Sequence, residues 1–71
     1  MTQQCKAILE YMDEYGSITP LEAMRDLGVM RLAARIHDLG SRYGIQIERE
    51  TVFDKNRNGD AIHYTKYRRL A

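Results

Sequence analysis

Arg31 and Arg35 stand four residues apart in the run Met-Arg-Leu-Ala-Ala-Arg-Ile that starts at Met30. A guanidinium carries a flat fork of N–H donors and keeps its charge, so it binds paired acceptors such as guanine O6 and N7, or a phosphate. One such two-bond contact discriminates between bases by roughly 1–3 kcal/mol. Met30 and Ala34 adjoin the two arginines and belong to the same candidate surface, and Ala33 with Ala34 keeps the rod slim. Arg42 lies two turns further on, placed for phosphate. Lys55 and Arg57 sit in a polar turn between Asn56 and Asn58 and suit a backbone or minor-groove contact. Thr19 precedes a helix whose free N–H groups can meet a phosphate, although its hydroxyl is more simply a cap. Each has a plainer reading. The arginines would solvate a helix face, Arg35 would pair with Asp38, and Lys55 and Arg57 would solvate a turn.

Enzymatic chemistry lacks its parts. His37, His63 and Cys5 are the only histidines and cysteine, and they do not fall at metal-ligand or catalytic spacing. No glycine-rich phosphate loop or nucleophile motif is present, and no cofactor is implied. His37 reads as a helix-surface residue and Cys5 as a small core hydrophobe. The tyrosines at 11, 15, 43, 64 and 67 mostly fall on apolar stripes, so they read as packing rather than base stacking.

The elements that must hold these side chains follow from periodicity. Cys5, Ile8, Tyr11 (or Met12) and Tyr15 give a first helix over about Gln3 to Tyr15, capped by Thr2 and stopped at Gly16. Thr19-Pro20-Leu21-Glu22 fits a capping box with proline at the first helical position. It opens a short second helix with Leu21, Met24 and Leu27 as its apolar face, Ala23 in close contact and Gly28 at its end. The third helix is expected from near Val29 or Met30 to about Arg42. Val29, Leu32, Ile36, Leu39 and Tyr43 would face inward, and Arg31, Ala34, Asp38 and Arg42 outward. Gly40 lies within it and Gly44 closes it. From Ile45 the period becomes two, with Ile45, Ile47, Thr51 and Phe53 as the inward set of a strand. Asn58-Gly59 supplies a hairpin turn, and Ile62, Tyr64, Tyr67 and Leu70 mark a second strand. Three helices and a β-hairpin make an α+β domain in winged helix-turn-helix order.

Length and charge set the frame. Seventy-one residues make one domain, which at this size buries only about 60% of its unfolded surface and can lean on a partner subunit. One cysteine suits a reducing cytoplasm, no apolar run is long enough to span a bilayer, and no signal peptide is evident. The net charge of +1 is low for a nucleic-acid binder. The charges are nevertheless sorted: residues 1–30 hold two basic against five acidic groups, and residues 31–71 hold nine against five.

The runs Gly-Ser-Ile-Thr-Pro-Leu-Glu-Ala from Gly16 and Leu-Gly-Val-Met-Arg-Leu-Ala-Ala-Arg-Ile from Leu27 resemble a family of small helix-turn-helix proteins of bacteriophages and prophages. The likeness extends through the hairpin to Tyr67-Arg68-Arg69-Leu70. Gly40 departs from it, standing where members often carry a basic residue. The resemblance implies a DNA-binding fold of phage origin acting in the bacterial cytoplasm. The expected partner is double-stranded DNA, read by the third helix and held by the wing, in a role regulating transcription or excision. A homodimer would match a palindromic site. The competing reading is a winged module that binds a host or phage protein through its acidic first half. It gains if acidic groups interrupt the cationic face.

Overall fold

Local chemistry sets most of the helix ends in the computed structural model, which describes residues 1–70. Helix α1 spans Gln3–Tyr15, with the Thr2 hydroxyl accepting from the Cys5 N–H at 3.2 Å. Gly16 closes it at φ 87°, a left-handed conformation that glycine takes without a Cβ penalty. Helix α2 spans Pro20–Leu27 behind a complete capping box: the Thr19 hydroxyl accepts from the Glu22 N–H, and the Glu22 carboxylate accepts from the Thr19 N–H. Helix α3 spans Leu32–Tyr43 and ends at Gly44. Strands β1 (Ile47–Lys55) and β2 (Ala61–Arg69) pair antiparallel, from Ile47 opposite Arg69 to Lys55 opposite Ala61. This is the expected α+β order.

The core is a single cluster of Cys5, Ile8, Tyr11 and Met12 from α1, Ala23 from α2, Leu32, Ile36 and Leu39 from α3, with Ile18, Val29 and Tyr67. Ile18 and Tyr67 exchange two backbone hydrogen bonds, of 2.8 and 2.9 Å. That isolated bridge ties the base of the hairpin to the loop between α1 and α2. A single residue pair leaves no periodic trace, so the sequence gives no sign of it.

Several expectations about burial need correcting. Tyr15 is exposed, because Met12 takes the inward place and Tyr15 lies at the end of α1, tilted against the Tyr11 ring at 4.6 Å. Leu21 and Met24 are exposed too: α2 turns Ala23 and Leu27 inward. Helix α3 starts later than expected, at Leu32. Val29 is buried in the connecting turn, where its N–H donates to the Ala23 carbonyl, and Arg31 occupies the N-cap at φ −123°, ψ 64°. Tyr43 and Leu70 are exposed. The first strand begins at Ile47 rather than Ile45, and Thr51 and Phe53 point to solvent while Val52 is half-buried. The hairpin projects beyond the core, so its outer half has no apolar face to bury.

A polar brace joins α1 to α2. The Tyr11 hydroxyl donates to Asp26 at 2.6 Å, and Arg25 donates two hydrogen bonds to the same carboxylate at 2.8 and 3.0 Å. Donation from Arg25, then from Tyr11, holds the Asp26 pKa at about 2, below its ordinary 3.8. Acceptance by Asp26 pushes the Tyr11 phenol up from 10.0 to about 12. A depressed carboxyl stabilises the fold above its unfolded pKa and loses that contribution as pH falls through the folded one. The brace therefore weakens between pH 3.8 and about 2. For the raised phenol the sign reverses, and its share fades between pH 10.0 and about 12. Thermal melts across both windows are expected to show these losses in the wild type. The acid loss should shrink in Asp26→Asn and the alkaline loss in Tyr11→Phe. Equal slopes in variant and wild type would contradict the brace.

Candidate nucleic-acid interface

Helix α3 presents a narrow solvent face. Ala33, His37, Gly40 and Ser41 recur at spacings of three and four and are exposed, with Met30 and Arg31 ahead of them and Arg42 at the far end. The four internal residues include two that carry no side chain beyond a methyl group, so the rod is slim enough for close approach to a groove. The expected outward row is turned by part of a helical step. Ala34, Arg35 and Asp38 are half-buried, because the start of α1 lies alongside them. Arg35 donates from Nε to Asp38 Oδ2 at 3.1 Å and reaches Gln4 Oε1 at 3.5 Å. Arg31 is exposed at the N-cap, next to the uncapped N–H groups of α3, since no side chain caps that end. His37 and Ser41 stand on this exposed face, a placement that the four-residue spacing Ala33, His37, Ser41 carries.

The hairpin sorts its charges by face. Cross-strand partners share a face, and successive residues alternate between faces. One face carries Glu48, Glu50 and Asp54 opposite Arg68, Lys66 and Ile62. Arg68 pairs there with Glu50 at 3.0 Å and Glu48 at 3.8 Å. The other face carries Arg49, Thr51, Phe53 and Lys55 opposite Tyr67, Thr65, His63 and Ala61, and the paired residues on it include no carboxylate. At its base the Arg49 guanidinium lies over the Tyr67 ring at 5.8 Å, while Arg69 pairs with Asp13 of α1 at 3.4 Å. The tip is a polar turn. The Asn56 side chain accepts from the N–H groups of Asn58 and Asp60, and Gly59 sits at φ 84°. Lys55 and Arg57 are both exposed there.

A slim helix behind a tight turn, followed by an antiparallel hairpin, is the element order of a winged domain. The chain belongs to the winged helix-turn-helix domain family. A family model with that description matches residues 3–68. No curated protein matches the chain, and no solved structure does. In this domain α2 and α3 are the helices of the turn motif and the hairpin is the wing, an arrangement typical of DNA-binding proteins.

Around this winged domain, the candidate side chains fall into two groups. Met30, Arg31, Arg42, Lys55 and Arg57 are exposed, whereas Thr19, Ala34 and Arg35 are half-buried and Thr19 and Arg35 are already hydrogen-bonded. A groove of about 630 Å³ separates the start of α2 from the acidic face of the wing. It is lined by Leu21, Val52, Ile62 and Tyr64 and by charges of both signs, Glu22 and Asp54 with Arg25 and Lys66. It lacks the single-sign field that draws a polyanion. No helix of the described residues is long and apolar enough to cross a membrane.

Proposed function

We propose that this winged helix-turn-helix protein is a sequence-specific binder of double-stranded DNA, of phage or prophage origin, that regulates transcription or excision. Helix α3 lies in the major groove, with Arg31 at its leading end and Ala33, His37 and Ser41 along the face toward the bases. Arg35 joins this surface by exchanging its pair with Asp38 for a DNA acceptor. That exchange is affordable because a half-exposed ion pair contributes at most about 1 kcal/mol. The wing approaches the adjacent backbone with Lys55 and Arg57, and Arg42 meets phosphate at the far end of α3.

The observation that carries this reading is the sorting of charge on the hairpin. Every carboxylate within the two strands lies on one face, and the opposite face holds Arg49, Lys55 and Arg69 with none. The net charge of +1 thus conceals a strand face whose own residues carry only positive charge, with Arg49 and Lys55 unpaired and Arg69 held by Asp13 of α1. Local field, not the total, governs attraction to a polyanion.

Fluorescence anisotropy with a random-sequence duplex across a salt series tests the proposal. Binding is expected to weaken steeply as salt rises, because each neutralised phosphate releases counterions. The Lys55→Ala/Arg57→Ala protein should lose about one unit of log–log slope for each phosphate contact removed. Absence of binding even at low salt would overturn the DNA reading in favour of a module that binds a host or phage protein.

A further inference from the structure

We propose that Phe53 is an apolar wedge that enters the minor groove and unstacks a base step, so that the wing bends the duplex. This rests on the DNA reading above and adds a contact and a consequence to it. Phe53 is 80% exposed, the most exposed of the large hydrophobic residues described. It touches no core residue, and its one aromatic neighbour is His63 across the strand pair, with centroids 6.3 Å apart. Its face of the hairpin is the acid-free one. Lys55 lies two residues nearer the tip, Arg49 four residues nearer the base, and Thr51 and Thr65 stand between.

Such a face is complementary to a groove bordered by phosphates. Lys55 sits about 7 Å along the strand from Phe53, so it reaches backbone while the ring meets bases. Apolar side chains set among cations on minor-groove proteins act this way, partly unstacking a step and kinking the duplex toward the major groove. The wing is suited to the load. Its two strands pair without interruption from Ile47 to Lys55, and the Ile18–Tyr67 bridge anchors its base. Pyrimidine–purine steps, above all TA, unstack most readily and are the preferred point of insertion.

The test uses the full chain and a short duplex in which the adenines of TA steps are replaced by 2-aminopurine, whose fluorescence rises on unstacking. Anisotropy on the same duplex reports binding separately. Wild type at saturation is expected to raise 2-aminopurine fluorescence several-fold. Phe53→Leu, which keeps an apolar wedge, should retain most of the rise. Phe53→Ala, brought to saturation at whatever higher protein concentration its weaker binding needs, should leave the fluorescence at the level of free duplex. An exposed position makes these variants tolerable to the fold, which far-UV circular dichroism verifies. Saturation by wild type without any rise, or an equal rise with Phe53→Ala, overturns the wedge and leaves DNA binding standing. Failure of wild type to bind at low salt overturns both.

Discussion

Ile36→Ala is expected to bring the domain to the edge of unfolding. Ile36 is 1% exposed on the inward face of α3, in the cluster that also holds Leu32 and Leu39. Removing the branched side chain forfeits its transfer free energy and leaves a cavity, a loss of about 2–5 kcal/mol. Stability scales at about 0.05–0.15 kcal/mol per residue, so a domain of 71 residues holds on the order of 4–10 kcal/mol in all. The variant therefore loses a large share of its margin, and urea denaturation should show its midpoint far below that of wild type. Ala33→Ser, on the solvent face of the same helix, serves as the control and should shift the midpoint little. Comparable losses at both positions would contradict the inward and outward assignment of α3.

Arg31→Ala is expected to weaken duplex binding roughly ten- to a hundred-fold, the equivalent of one two-bond arginine contact. Arg31 is exposed, unpaired among the described hydrogen bonds, and placed at the positive end of the α3 dipole. Arg35→Ala should cost less, because Arg35 must first leave Asp38. The same geometry gives an opposite sign at Asp38. Asp38→Ala frees the guanidinium and removes a negative charge beside the helix, so binding should tighten. Anisotropy at fixed salt ranks the three variants. Weaker binding by Asp38→Ala, or indifference to Arg31→Ala, would dismiss α3 as the reading helix.

Local signals in the sequence were reliable. Thr2, the Thr19–Glu22 capping box, Pro20 and the closing glycines 16, 28 and 44 mark the helix ends because a cap acts within one turn of chain. The rotation of α2 was not legible. Leu21 and Met24 look as apolar as Leu27, and it is the full burial of Ala23, with the Tyr11–Asp26 hydrogen bond, that marks which side turns inward. The start of α3 is hidden in the sequence for a related reason. Val29 continues the apolar spacing of the helix, yet it is buried from the turn, with its N–H spent on Ala23. Leu32, Ile36 and Leu39 are legible because their spacing and their burial coincide.

The wing was legible as a hairpin but not as a surface. Alternation of apolar residues is a signal only where one face meets a core, and the outer part of β1 meets none. The alternation that does exist is one of charge: Glu48, Glu50 and Asp54 against Arg49 and Lys55. Its meaning depends on the register with β2, which brings Lys66 and Arg68 to the acidic face and His63 to the other. Arg35 shows the converse difficulty. Its position on the helix follows from spacing, while its contact with Gln4 depends on where α1 lies.

Backbone amide shifts recorded while the protein is titrated with duplex DNA at low salt test the DNA-binding surface at every position at once. The expected footprint covers Met30 to Arg42 together with Arg49, Thr51, Phe53, Lys55 and the turn at Arg57, and spares Glu10, Glu14 and the groove at Leu21 and Ile62. Shifts confined to α1 and that groove, or no shifts at all, would contradict a duplex held between α3 and the acid-free face of the wing.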